Sequence, residues 1–150
     1  MRKILFIIGV ILFAFIGCAE NREIKVPNLN VTCNEKEIEV QKGGYSWTRK
    51  VGLFDSESII ADDKSPEQIA SEMDGDNITG VSELKLEFDR EPEDFEVNYI
   101  DIYGDTKEVK YRVEDDSIVL LNDVGTYIFE IIGKWEEGQA SYIIKIVTAI

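Results

Sequence analysis

The stretch Asp123-Val124-Gly125-Thr126-Tyr127-Ile128-Phe129-Glu130-Ile131-Ile132-Gly133-Lys134-Trp135 is followed, after Glu136-Glu137, by Gly138-Gln139-Ala140-Ser141-Tyr142-Ile143-Ile144-Lys145-Ile146-Val147. Successive side chains of a strand point to opposite faces, so Tyr127, Phe129, Ile131 and Trp135 share one face and Tyr142, Ile144 and Ile146 share another. Joined through a turn at Glu137-Gly138, the two form an antiparallel hairpin whose aromatic and branched faces belong in a core. The opposite faces are only partly polar: Ile128 and Ile132 accompany Glu130 and Lys134, and Ile143 and Val147 accompany Ser141 and Lys145. Together these four aliphatic side chains make a stripe that is either covered by another element or open as a partner site.

The same period of two recurs upstream. Leu29, Val31 and Cys33 alternate with Asn30, Thr32 and Asn34; Ile38 and Val40 with Glu37, Glu39 and Gln41; Leu84, Leu86 and Phe88 with Glu83, Lys85, Glu87 and Asp89; Val109, Tyr111 and Val113 with Glu108, Lys110 and Arg112. These are half-buried strands with one wet face. Turns are expected at Gly43-Gly44, Asp89 to Pro92, Gly104-Asp105, Asp115-Asp116 and Asp123 to Gly125. One helix is expected. Ser65 suits the N-cap, Pro66 the first helical position and Gln68 the third, and the element stops by Asp74-Gly75. Its apolar face, Ile69, Ala70 and Met73, should lie on the sandwich, and it is the candidate cover for the stripe.

Asp123-Val124-Gly125-Thr126-Tyr127 resembles the tyrosine corner of immunoglobulin-type domains, which implies a sharp turn at Gly125 and a Tyr127 ring entering the core. Phe129 stands where such domains carry their second disulfide Cys, so packing replaces that bridge. The expected architecture is an all-β, immunoglobulin-like antiparallel β-sandwich with one short helix, spanning residues 29–150.

A targeting segment precedes it. Arg2 and Lys3 form a positive end, and Ile4 to Ile16 is wholly apolar or Gly, shorter than the roughly 20 residues of a permanent membrane span. Phe15-Ile16-Gly17-Cys18 resembles the lipobox of bacterial lipoproteins, although Phe15 replaces the usual Leu. The resemblance implies a signal peptide over residues 1–17, cleavage before Cys18, and lipid on the Cys18 thiol. Residues 18–28 then read as a tether. The expected place is the extracytoplasmic face of the cell membrane, with the membrane itself a partner through the acyl chains.

With Arg2 and Lys3 removed, the mature chain carries 14 basic against 30 acidic residues, a formal charge of −16. Such a surface repels phosphate backbones, and nucleic acid is not an expected partner. His is absent altogether, which removes the commonest general base and zinc ligand. Cys33 is left alone in an oxidising compartment and is expected to be buried. Asp74, Asp76 and Asn77 sketch the start of a calcium loop, yet Ile78 and Lys85 occupy ligand positions five and twelve, so a plain turn is the expectation. No cofactor, metal or catalytic residue is assigned.

Gly44-Tyr45-Ser46-Trp47, Leu86-Glu87-Phe88-Asp89 with Pro92, and Gly125-Thr126-Tyr127 through Trp135 to Tyr142-Ile143-Ile144-Lys145-Ile146 resemble uncharacterised lipoproteins and exported domains of low-GC Gram-positive bacteria, some with Cys in place of Ser46 and a second Cys downstream. Neither Cys is here, and the resemblance implies no activity. The residues thus suggest a binding or interaction module whose partner is another envelope protein or a glycan. Tyr45 and Trp47 are the candidate aromatic platform, and Ile128, Ile132, Ile143 and Val147 the candidate apolar site. A carboxylate-dependent envelope hydrolase, or a scaffold or inhibitor of another exported protein, are the alternatives. Replacing Cys18 with Ser should abolish palmitate incorporation and leave an uncleaved precursor; labelling that persists in Cys18→Ser would refute the anchor.

Overall fold

The hairpin read from the sequence is the longest pairing in the computed structural model, which describes residues 24–51, 55–61, 64–79, 82–102, 111–121 and 124–149. Strand β10 (Gly125–Trp135) and strand β11 (Gly138–Ala149) pair without a break from Gly125↔Thr148 to Trp135↔Gly138. The turn residues are Glu136-Glu137, one position earlier than expected. Gly138 already belongs to β11, where a Cβ would lie 2.0 Å from the Ser46 carbonyl oxygen.

Nine further strands complete two sheets. In chain order they are β1 (Leu29–Cys33), β2 (Lys36–Ile38), β3 (Val40–Val51), β4 (Asp55–Ala61), β5 (Asp76–Thr79), β6 (Ser82–Phe88), β7 (Asp94–Tyr99), β8 (Tyr111–Glu114) and β9 (Ser117–Leu120). The first sheet has the order β2-β1-β6-β9-β8; the second has the order β4-β3-β11-β10-β7, with β5 parallel to the end of β11. The two pack face to face as an all-β, immunoglobulin-like sandwich. Leu29, Val31, Cys33, Leu84, Leu86 and Ile118 from one sheet meet Trp47, Tyr127, Phe129, Ile131, Trp135, Tyr142, Ile144 and Ile146 from the other. Cys33 is a buried free thiol within this core.

The Ile38–Val40 alternation conceals a change of sheet. Ile38 ends β2 in one sheet and Val40 begins β3 in the other, with Glu39 at the corner. Asp76 fastens that corner, accepting from the Glu39 N–H at 2.7 Å and from Lys36 Nζ at 2.8 Å. Burial pulls its carboxyl upward, but these two donors together hold it below the ordinary range. Asp76 therefore serves as a structural brace. The β1–β2 turn was not signalled by Gly or Pro: Asn34 and Glu35 both adopt positive φ, 50° and 66°, in a two-residue connection.

Several expectations need correction. Gly43-Gly44 is not a turn but lies inside β3, opposite Ser141, where Ala140 pairs with Tyr45 and Tyr142 with Lys42. Two residues oppose one, a β-bulge. Gly125 does not turn sharply: its backbone is extended, and a Cβ there would meet nothing within 4 Å. Tyr127 is buried as expected, while Asp123 and Gly104-Asp105 lie outside the described residues. Val113 is 42% exposed because β8 is an edge strand, and Val109 lies outside the described residues. Ile24 to Asn28, expected as the last part of a tether, is fastened to the sandwich. Ile24 and Val26 pack on the core, and the Tyr142 hydroxyl donates to the Pro27 carbonyl at 2.8 Å. Lys42 Nζ donates to Asn28 Oδ1 at 3.0 Å, and Asn28 N–H to Asp89 Oδ1 at 2.9 Å. Burial pushes the Tyr142 hydroxyl pKa up and the Lys42 ammonium down, with Asp89 opposing the second shift.

Helix α1 (Pro66–Glu72) starts as read. The Gln68 N–H donates to the Ser65 hydroxyl, and the Ser65 N–H to the Gln68 side chain. A helix of seven residues is too short to persist by its own hydrogen bonds, so docking must stabilise it. Ile69, Ala70 and Met73 cover Ile128 and Ile143, with Ile100 and Ile102 at the margin. Lys145, which the alternation sets among the polar residues beside the stripe, is buried. Its ammonium donates to the carbonyls of Ala70 at 3.0 Å and Met73 at 2.7 Å, cations being favourable at a helix C-terminus. Gly75, at φ +87°, then turns the chain where a Cβ would lie 3.1 Å from both Lys145 Cγ and Val147 Cγ2. Lys145→Met should lower unfolding free energy by about 1.5–3 kcal/mol, the scale of lost charged hydrogen bonds, as read from the denaturant midpoint. An unchanged midpoint would show that the helix docks on apolar contacts alone.

Candidate functional site

The outer face of the six-stranded sheet is divided by side-chain size. At its upper part α1 covers Ile128 and Ile143 completely. Below the first turn of the helix, the outward positions of β3 are Gly43, Gly44, Ser46 and Thr48, and those of β11 are Ser141 and Gln139. These are small or polar, whereas the strands on either side present Ile60 from β4 and Ile132 and Lys134 from β10. The outcome is a furrow along the strands.

Its upper half, about 490 Å³, runs from Lys64-Ser65-Pro66 at the helix start over Gly43, Gly44 and Ser141, with Ile60 on one wall and Ile132 and Glu130 on the other. Its lower half, about 510 Å³, passes Thr48 and Lys134 to Glu136 and Glu137, and shares Ser46 and Gln139 with the upper half. The glycines deepen it, because a Cβ on Gly43 would lie 2.9 Å from both Ile143 Cδ1 and Ser141 Oγ. Polar groups in the lining have partners: Ser141 donates to Glu130 at 2.7 Å within the furrow, while Thr48 and Lys134 reach neighbouring strands, the Thr48 and Ser58 hydroxyls lying 2.9 Å apart and Lys134 pairing with Glu96. At the lower end Arg90 grips Glu137 through two hydrogen bonds and holds its carboxyl below the ordinary range.

Of the six expected site residues, only Ile132 lines the open furrow with its side chain. Ile128 and Ile143 are sealed beneath the helix and are corrected from partner site to core. Val147 is half-buried beside Gly75, away from the furrow. Trp47 is corrected as well. It is buried, with its ring 5.4 Å from Trp135 and the Arg90 guanidinium 5.1 Å above it, so it is no platform. Tyr45 borders the upper half but is half-buried against the core. Reading by periodicity missed Gly43, Gly44, Ser46, Ser141 and Gln139. Their signal was the smallness of successive outward positions on two neighbouring strands, visible only once β3 and β11 are paired.

Among the described residues no cluster of three or more Cys, Asp or Glu side chains is placed to hold a metal ion, and no helix is long and apolar enough to cross a membrane. Comparison with protein-family models, curated proteins and solved structures finds no match.

The furrow and the helix dock divide the stripe into two parts with different energetics. Ile143→Asp should destabilise the protein by several kcal/mol, the scale of burying an unpaired charge, whereas Ile132→Asp should cost no more than about 1 kcal/mol. Thermal melts of the two variants check this, and equal losses would show the furrow wall to be closed core.

Proposed function

We propose that this protein is a lipid-anchored binding module on the extracytoplasmic face of a bacterial cell membrane, taking an extended ligand in the furrow of its six-stranded sheet. The observation that carries the reading is the furrow itself: α1 covers half of an apolar stripe and stops, leaving Ile132 beside a polar, glycine-floored channel. Binding sites combine such apolar contact with a few placed polar groups. The anchor rests on the leader and Cys18.

The two halves of the proposal fit one geometry. Asn28 is fastened beside Asp89, and Glu93 N–H donates to the Lys134 carbonyl, so the chain enters at the sandwich end that also holds the β10–β11 turn. From Cys18 to Ile24 a chain reaches at most roughly 20 Å. In an anchored protein that end faces the bilayer, and the furrow climbs from it along the sheet. A charge of −16 on the mature chain favours cationic ligands over anionic ones.

The test is capture from solubilised envelope with the detergent-purified protein as bait, run in parallel with Ile132→Asp. The expected result is a captured species that disappears in Ile132→Asp while that variant stays folded, its melting temperature within about 5 °C of the parent's. A folded Ile132→Asp protein that captures the same species would refute the furrow as the site.

A further inference from the structure

The furrow's outer wall is β4, and β4 is also one open edge of the six-stranded sheet: among the described residues no strand pairs with its far side. In an antiparallel pair every second residue turns its N–H and C=O away from the partner, so the edge offers a row of donors and acceptors. The other sheet ends are blunted. Strand β2 has three residues and β8 has four, and β7, with six, carries Asp94 and Glu96 and packs its apolar Phe95, Val97 and Tyr99 against the core. By contrast β4, Asp55-Ser56-Glu57-Ser58-Ile59-Ile60-Ala61, is seven residues long and contains no Pro, Gly or Lys. Its two isoleucines project to opposite faces, with Ile59 opposite Trp47 on the inner side and Ile60 opposite Ser46 on the furrow side. They are 38% and 71% exposed.

We infer that β4 receives an extended polypeptide segment as an added antiparallel strand, apolar opposite Ile59 and Ile60 and basic opposite Asp55 and Glu57. The inference rests on the furrow reading and names its ligand class. Main-chain pairing supplies affinity, and alternate side chains supply selection. Outer-face side chains of the added strand lie against Ile60, at the furrow rim. Charge selects the occupant: although Glu57 already takes Arg49 at 2.7 Å, Asp55 and the strongly acidic chain as a whole favour a further strand with lysines over an acidic one. A second copy fits less well. An antiparallel β4–β4 pair turns one copy upside down, while two copies anchored through Cys18 in one membrane stand the same way up.

The test uses the full-length protein in detergent and the labelled peptide Thr-Val-Val-Thr-Lys-Thr-Lys, which matches β4 antiparallel, read by fluorescence anisotropy. Binding is expected, weakened at least about tenfold by Ile60→Lys or by replacing both peptide lysines with Glu. N-methylation of alternate peptide residues should abolish binding in one set and spare it in the other, because only one edge pairs. Failure of the parent peptide to bind, or indifference to both N-methylated sets, overturns strand addition. If Ile132→Asp still loses its captured species in that case, the furrow reading stands without it. A concentration-dependent dimer of the unliganded protein, lost in Ile60→Lys, overturns the inference in favour of self-association.

Discussion

The unbroken register between β10 and β11 sets the position of everything else in the molecule. Tyr127, Phe129 and Ile131 face Ile146, Ile144 and Tyr142 across the pair, so one hairpin supplies most of one wall of the core. A slip of one residue would turn that entire set to solvent, and the density of branched and aromatic side chains makes such a slip prohibitive. Phe88, from the facing sheet, then meets both Trp135 and Tyr142 edge-on at about 5.8 and 5.9 Å, tying the two layers together where the hairpin turns.

The outer face of the same hairpin is organised by a second constraint, the Lys145 ammonium. Buried on a sheet, it needs acceptors, and the open carbonyls at the end of α1 provide them. Helix and lysine thereby satisfy each other. The helix is held over Ile128 and Ile143 and begins only at Pro66, which leaves the lower sheet uncovered. The depth of the resulting channel comes from the β3 bulge, where β11 leaves no room for a Cβ on Gly43 and the Ala61 carbonyl of β4 crowds one on Gly44.

At the end of the sandwich where the chain enters, aromatic packing and charge cooperate. Trp135 donates its indole N–H to the Arg90 carbonyl at 3.1 Å, while the Arg90 guanidinium lies over Trp47 and Trp135 and binds Glu137. The loop between β6 and β7 is thus fixed beside the Asn28–Asp89 contacts. The N-terminal segment is joined to the sandwich here, Pro27 through the Tyr142 hydroxyl and Asn28 through Asp89.

Local chemistry was legible in the sequence wherever neighbours along the chain decide it. The capping box of Ser65 and Gln68 needs four consecutive positions, and the inward faces of β1, β6, β10 and β11 need only a period of two. The expected leader and the lipid on Cys18 rest on local pattern of the same kind, but they lie outside the described residues. What the tertiary structure decided depends on which strands become neighbours and which become edges. Gly43-Gly44 reads as a turn until β11 lies against it. Lys145 reads as wet until a helix more than 70 residues upstream places two carbonyls above it. Trp47 reads as a possible platform until Arg90 and Trp135 enclose it, and β4, whose two isoleucines are adjacent, shows no alternation because this strand buries neither of its faces. Ile128, Ile132, Ile143 and Val147 are alike in sequence pattern. Only the span of a seven-residue helix separates the covered pair from the open wall, because burial is a property of what lies across the surface and not of the strand that carries the side chain.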